Sequence, residues 1–398
     1  MTHHFFQSAN RVIDADVVVV GAGLVGLGAT IAFAKQGKKV VLVDSKHPTI
    51  KLKKAWDERV YALTPATEQW LGNIGVWAHV DESRVNAINS MHLFDGISEQ
   101  ALTLHDEDAH LTKLGLIIEN QNLMHALIAQ LNTLDVTIIT DAQCVSLHNT
   151  PQSVTINLAN GAAVSAKLVV AADGVDSWVR NQANIDVTKK DFNQTAVVAN
   201  FSTTKQHQNI ARQWFLAHET LALLPLVGQN VSLVWSVSTE KANELLKLAN
   251  EDFAEAVYLK SYSVLGDLKS IGKTRSFTLL QQTAIRLIAP RVVLMGDAAH
   301  QIHPMAGQGV NLGFRDVMQM AAVTTNCHAM QDIGCNTILR QYERARAADV
   351  ATMNTLTTGL DRLFAADNGL LKKLTHLGFM QINKQAGIKK LLIQQVAA

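Results

Sequence analysis

Residues 17–34 read VVVVGAGLVGLGATIAFA, eighteen positions without a charge. That length reaches the minimum for a membrane span. Four glycines interrupt it, however, and strand-forming residues fill only its first four positions. The preceding MTHHFFQSANRVIDAD carries one Arg and two Asp, unlike the basic start and small-residue cleavage site of a signal peptide. The segment therefore reads as strand, turn and helix. Val17–Val20 form a β-branched run suited to a strand buried on both faces. Gly21-Ala22-Gly23-Leu-Val-Gly26 then opens a helix that runs to about Gln36. In such a turn Gly21 permits the tight bend, Gly23 lets a pyrophosphate approach the backbone, and Gly26 brings helix and strand close. The helix N-terminus adds amide donors and positive dipole. The next strand, KKVVLVDS, ends in Asp44, eighteen residues past Gly26, where a carboxylate can accept hydrogen bonds from a ribose diol. The pattern predicts a dinucleotide site and leaves NAD and FAD open.

Two later stretches repeat the strand-to-carboxylate design. AKLVVAADGVDSWVR (166–180) ends a strand in Asp173-Gly174, with Ser177 and Arg180 following. RVVLMGDAAH (291–300) ends one in Gly296-Asp297 and continues to GDAAHQIHPMAGQGVNLG (296–313). An Asp-Gly turn is common anywhere. A nicotinamide dehydrogenase needs neither addition, whereas a flavin needs a carboxylate for its ribitol hydroxyls and a second wall for its ring.

The three motifs, in this order, resemble the flavoprotein monooxygenases of the p-hydroxybenzoate hydroxylase type. Within that group the chain most resembles the ubiquinone-biosynthesis hydroxylases. DERVYALTPATEQWLGNIGVW (57–77), IENQNLMHAL, HPMAGQGVNLGFRD and a tail containing LDRLF carry that resemblance, which runs nearly the whole chain. It implies an α/β fold: a Rossmann-like FAD-binding domain, a β-sheet substrate domain and a helical C-terminal region. It also implies FAD contacts from Gly21, Ala22, Gly23, Gly26, Asp44, Arg59, Asn120, Val145, Asp173, Asp297, Pro304, Gly307, Gln308, Gly309, Val310 and Asn311. Asp297 would hold the ribitol, and the helix from about Val310 would favour the electron-rich reduced ring.

The implied activity is that of a single-component hydroxylase. NADH or NADPH reduces the flavin, O2 adds at its C4a carbon, and one oxygen passes to a prenylated phenol or quinol of ubiquinone biosynthesis. No residue is assigned a catalytic role, His300 and His303 included. Action of a same-fold flavoenzyme on a non-quinone aromatic, halogenation, prenyl-chain reduction and a flavin-bound non-catalytic partner in a biosynthetic complex are the rival readings. No WxWxIP stretch of the halogenase kind occurs among the six Trp.

Composition agrees with this reading. A chain of 398 residues exceeds one compact core. Its 48% hydrophobic content, against 17% charged where about 25% is usual, suits a large interior. Lys and Arg (35) nearly cancel Asp and Glu (34), which argues against nucleic acid as a partner. Cys144, Cys327 and Cys335 form no CxxC pair, the His residues are scattered, and no metal is expected.

The expected organisation is a discontinuous cofactor domain (1–75, 110–185 and 270–350), a substrate domain (76–109 and 186–269) and a C-terminal helical region (351–398) punctuated by Gly359, Gly369, Gly378 and Gly387. Trp214, Phe215, Leu223, Pro225 and Trp235 are candidates for the substrate pocket, each with core packing as its simpler explanation. In the tail, Leu370, Leu371, Leu374 and Leu377, then Ile388, Leu391 and Leu392, fall at helical spacing. Lys372, Lys373, Lys384, Lys389 and Lys390 accompany them. Such a helix suits an anionic lipid surface or packs on the chain's own cofactor domain. The protein is expected in the cytoplasm, with peripheral contact at the inner face of the membrane or with other ubiquinone-biosynthesis proteins. Homo-oligomerisation stays open.

Overall fold

The computed structural model describes residues 12–50, 52–96, 101–216, 218–302, 309–325, 327, 331–365 and 379–397. Its first sheet is built on the charge-free strand. Val12–Val20 lies parallel to Val40–Val43 on one side and to Ala163–Ala171 on the other. Thr137–Ile139 and Val292–Leu294 extend the parallel array outward. Val17, Val18, Val19, Val41, Leu42 and Val43 have no exposed surface. Fully burying one such side chain is worth about 1.5–3 kcal/mol. That is why a β-branched run with no polar face settles in the centre of a covered parallel sheet.

The helix Leu24–Lys35 crosses over between the first two strands and is buried from Gly26 to Phe33. It packs between this sheet and the helices Asn120–Leu131 and Gly309–Thr325.

A second sheet of nine strands, antiparallel except where Ile210–Leu216 runs parallel to Ser90–Phe94, carries the expected substrate region. Its long central strand, Val187–Thr203, pairs with Asn230–Ser238, which pairs in turn with Glu219–Leu226 and then Ile210–Leu216. Ser90–Phe94 and Ala101–His105 complete that edge. Arg275–Ala284, expected in the third cofactor segment, instead pairs with Val187–Thr203 across the other edge. A small sheet of Val60–Leu63, Gly115–Glu119 and Asn86–Ile88 sends Leu63, Leu116 and Ile118 into the core of the first sheet and Ile88 and Ile117 into apolar packing with the second.

Strand alternation divides the antiparallel sheet into two faces. Trp214, Leu221, Leu223, Leu233 and Trp235 form one, buried against Ala242, Leu245, Phe253 and Val257 of the helices Thr239–Leu245 and Asn250–Lys260. Trp214, Leu223 and Trp235 are thus core residues, not pocket lining. Pro225 shares their face by register, and Phe215 belongs to the opposite one. On that opposite face Leu93, Gln213, Ala222, Leu224 and Val234 stay half-buried.

The C-terminal region also departs from expectation. One helix runs from Asn336 to Ala365 straight through Gly359, and another spans Ala386–Ala397 across Gly387. Gly369, Gly378, Leu370, Leu371, Lys372, Lys373, Leu374 and Leu377 lie outside the described residues. The last helix docks on the substrate sheet. Ile393 (1% exposed) joins Ile88, Leu102, Leu104 and Leu114, while Lys389 bonds Asp108 at 2.6 Å. Ile388, Leu391 and Leu392 remain exposed (40%, 61% and 37%). Among the described residues no helix is long and apolar enough to cross a membrane.

Candidate cofactor site

At the C-terminal end of the parallel sheet three strand ends meet. Gly21 bends with φ +105°, a left-handed conformation open to glycine, and a Cβ there would lie 2.3 Å from the Ala172 carbonyl oxygen. A Cβ on Gly26 would lie 1.9 Å from the Gly21 carbonyl oxygen. At Gly23 the situation reverses, because nothing lies within 4 Å of the position a Cβ would take. Gly23 caps the helix Leu24–Lys35 without any side-chain hydrogen bond, so the helix N-terminus faces open room. This is the cradle a pyrophosphate requires.

Asp44 stands beside this turn. Its carboxylate accepts from the amides of Ala22 (2.6 Å) and Lys46 (2.8 Å). Asp173 borders the same turn, since a Cβ on Gly21 would also meet its amide nitrogen at 2.8 Å. Both Asp173 oxygens are engaged within their own loop, by Ser177 Oγ (2.5 Å) and the Val179 amide (3.0 Å). Burial pushes its pKa above the usual carboxylate range. Burial likewise raises the Cys144 thiol to about 12, helped by the negative charges of Asp173 and Asp44. The start of the strand Cys144–Asn149, followed by the exposed Val145, thus lies near Asp44 and Asp173.

A second cluster is assembled by Asp297, Arg59, Tyr61 and Asn120. Asp297 follows Gly296, which adopts φ +57° after the strand Val292–Leu294. Its side chain opens to the groove, and no described residue hydrogen-bonds its carboxylate. The surrounding protein still desolvates it enough to raise its pKa, against the opposing charges of Arg59 and His300. Arg59 lies over the Tyr61 ring at 5.4 Å, and Tyr61 donates to Asn120 Oδ1 at 3.2 Å. Burial pushes the Tyr61 hydroxyl up to about 12.

Buried pairings hold these groups in place. Glu119 accepts from Arg84 twice (2.6 and 2.8 Å) and from the Asp57 amide (2.6 Å), fixing the segment before Arg59. Arg180 donates to the carbonyls of Val175 and Ala298, stapling the Asp173 loop to the Asp297 loop.

The described sequence-derived residues fall into two clusters: Gly21, Ala22, Gly23, Gly26 and Asp44, with Asp173 beside them, and Arg59, Asn120 and Asp297. Gly309 and Val310 begin the helix Gly309–Thr325. Asn311 is fully buried and spends its side chain on the Ala62 carbonyl (2.8 Å) and the Thr64 amide (3.1 Å). Pro304, Gly307 and Gln308, like His303, lie outside the described residues.

Sequence reasoning missed three contributors. Arg180, and Asp316, whose buried carboxylate accepts from the Gly296 amide (2.8 Å) and Arg346 Nε (2.6 Å), stood inside quoted motifs without a role; Tyr61 had no signal beyond its position two residues after Arg59. Among the described residues no His, Cys, Asp or Glu cluster is arranged to hold a metal.

Open room at Gly23, an uncapped helix N-terminus and an unengaged carboxylate at Asp297 fit the pyrophosphate and ribitol of FAD. Residues 14–357 match the FAD binding domain family. Fold, groove and this match define a FAD-dependent monooxygenase, an oxidoreductase. The chain is 33% identical, over 97% of its length and 90% of the relative's, to the ubiquinone hydroxylase UbiL of Rhodospirillum rubrum. To the human mitochondrial ubiquinone biosynthesis monooxygenase COQ6 it is 31% identical, covering 94% and 91% of the two chains. It belongs to the FAD-dependent ubiquinone-biosynthesis hydroxylase family. Its fold is shared with p-nitrophenol 4-monooxygenase PnpA of Pseudomonas putida, with TM-score 0.78, 16% identity and coverage of 98% and 99%. The FAD- and uric acid-bound HpxO of Klebsiella pneumoniae has it too, with TM-score 0.73, 16% identity and 96% coverage of each chain.

Proposed function

We propose that this protein hydroxylates the aromatic ring of a prenylated phenol or quinol intermediate of ubiquinone biosynthesis, consuming O2 and NADH or NADPH. The observation that supports this most strongly is near-full-length similarity to relatives named for ubiquinone hydroxylation. Bound FAD supplies the redox chemistry; the chain supplies binding, orientation and dryness. Asp44 and the amides at Gly23 and Leu24 hold the adenosine and pyrophosphate. Asp297 takes the ribitol hydroxyls, and Arg59 with Asn120 borders the ring. Asp173 shapes the turn under Gly21, and the start of the helix at Gly309 and Val310 closes the pyrimidine side.

The half-buried face of Leu93, Gln213, Ala222, Leu224 and Val234 is the substrate wall. On the same face Asn200 donates to the Asp57 carbonyl (2.9 Å), two residues before Arg59, which draws that wall towards the cofactor segment. The Leu93, Ala222, Leu224 and Val234 part of this wall suits a prenylated ring and keeps water from the reacting centre, with Gln213 and Asn200 supplying its polar groups.

The exposed Ile388, Leu391 and Leu392, with the exposed Lys384 and Lys390, form the surface by which the protein meets an anionic membrane and draws a lipid-soluble substrate. NAD(P)H consumption, peroxide yield and product mass with a prenylated phenol test the reaction. Coupled turnover giving a product heavier by one oxygen is expected, and unchanged peroxide release across a panel of such phenols would refute it. Flotation on anionic vesicles tests the surface: Leu391→Asp should float less than wild type, and equal flotation would remove it.

A further inference from the structure

The helix-covered face of the second sheet ends in a basic row. On the strand Ile210–Leu216, Arg212 stands two residues before the buried Trp214, and its cross-strand partner is the core residue Leu223, so both side chains share that face. On the parallel neighbour Ser90–Phe94, Phe94 stacks on Trp214 with ring centroids 4.9 Å apart, and His92 pairs in register with Arg212. His105, on the outermost strand, brings its ring within 6.2 Å of His92. Arg212 is 6% exposed, His92 is half-buried and His105 is exposed, so the row opens outward from its arginine.

A buried guanidinium needs a carboxylate or carbonyls for its donors. Arg84, Arg291 and Arg346 hold Glu119, Asp332 and Asp316, and Arg180 gives both terminal nitrogens to carbonyls. Arg212 has no carboxylate and only half of the carbonyls. Its Nη1 donates to His207 (3.0 Å) and Ile210 (3.3 Å), while its buried Nε has no acceptor among the described residues and its Nη2 bonds none of them. Nε and Nη2 form one edge of the fork. It is the edge by which Arg84 grips both oxygens of Glu119, at 2.6 and 2.8 Å. Burial lowers the pKa of Arg212, and no carboxylate opposes it. Asp108, which faces His105, is already held by Lys389.

We propose that Arg212, with His92 and His105 at its rim, is a binding site for a small oxyanion of the phosphate class. A lone carboxylate would be satisfied by the free edge of the guanidinium. The imidazoles beside it add donors for the further oxygens and the second charge of a phosphate. The row lies on the opposite side of the sheet from the half-buried wall assigned to the substrate, so its occupant is a separate ligand. That ligand is a free phosphate or the phosphate of a lipid headgroup.

The test uses the holoprotein, in which FAD fills the pyrophosphate cradle, and two probes. One is inorganic phosphate at an ionic strength matched with chloride; the other is phosphatidylcholine vesicles with or without phosphatidic acid. Wild type, Arg212→Lys and His92→Glu are compared by melting temperature and by flotation. Phosphate should raise the wild-type melting temperature saturably, beyond the effect of chloride. Arg212→Lys keeps the charge but loses the edge, and should bind phosphate about 10- to 100-fold more weakly. His92→Glu sets a carboxylate beside Arg212, so it should melt above wild type without phosphate and gain nothing when phosphate is added. It carries the test if Arg212→Lys does not fold. A phosphate response lost in the variants assigns a free anion. Flotation that depends on phosphatidic acid and is lost in the variants, without a phosphate response, assigns a headgroup. A wild type that answers neither probe, or variants that answer both as wild type does, would overturn the site.

Discussion

Two glycines of one turn, three residues apart, should fail in opposite ways when each gains a methyl group. At Gly26 the added Cβ meets the Gly21 carbonyl oxygen at 1.9 Å and its carbon at 2.9 Å. Real Cβ contacts begin near 3.0 Å, so strand end and helix must part by about 1.1 Å, and both colliding atoms are backbone with no rotamer to yield. Overpacking typically costs about 1–3 kcal/mol, and this geometry belongs at or above the upper end. For a cooperative unit of roughly 150–250 residues, 3 kcal/mol is about 6–12 °C in melting temperature.

At Gly23 the Cβ meets nothing within 4 Å, and φ −75° is accessible to alanine. The weaker N-cap and the stiffer unfolded chain nearly cancel, leaving stability within about 1 kcal/mol. The methyl instead occupies the room a pyrophosphate needs. Losing one charge-assisted hydrogen bond costs about 1.5–3 kcal/mol, roughly a 10- to 100-fold loss of FAD affinity. Melting should be followed on deflavinated protein, because bound FAD stabilises the fold by mass action. FAD titration of the same samples supplies the second axis. Wild-type melting in Gly26→Ala, or wild-type FAD affinity in Gly23→Ala, would refute the assignment of the turn.

Asp297→Ala should lose about 2–4 kcal/mol of FAD affinity, since it removes a charged acceptor and leaves ligand hydroxyls unpaired; Asp44→Ala should lose less, as equilibrium titration will measure. Trp214→Ala should destabilise the protein by about 3–5 kcal/mol while leaving the KM of the folded fraction unchanged, whereas the half-buried Leu224, packed beside the Ile88 and Ile393 cluster, should on change to Ala raise KM at a smaller stability cost. Urea midpoints and steady-state kinetics separate the two. Burial, then the charge of Arg212, then that of His105, lowers His92 to about 4 from 6.5, so the unfolded chain binds its proton first. Stability should be full above about pH 6.5 and fall as pH drops towards 4, and His92→Gln should flatten that fall in urea midpoints compared at pH 7.5 and 5.

The cofactor half was legible in the sequence for a physical reason. Phosphate recognition is made by a strand, a turn and a helix end that are contiguous, so Val17 to Gly26 contain nearly all the constraints on their own geometry. Asp44 and Asp297 follow the same rule, each standing just past a buried strand. The antiparallel sheet was legible only as strands. Alternation announces two faces without saying which one helices will cover, and the helix-covered face took Trp214, Leu223 and Trp235. The half-buried face was left with Leu93, Ala222 and Leu224, which drew no attention in sequence. The tail shows the same limit, because its spacing named Ile388, Leu391 and Leu392, while docking was decided by Ile393 against the second sheet and by Lys389 against Asp108, far apart in the chain.

By itself the sequence determined the dinucleotide turn, the carboxylates that end the strands feeding it and the family, each read from a contiguous motif of strand, turn and acid. Tertiary structure alone decided that Asp316, Arg346 and Gly296 would meet, that Arg180 would join two loops and that Asn311 would serve the fold. A buried polar group takes whichever partner the packing of distant elements brings within hydrogen-bond reach, and no local pattern records that meeting.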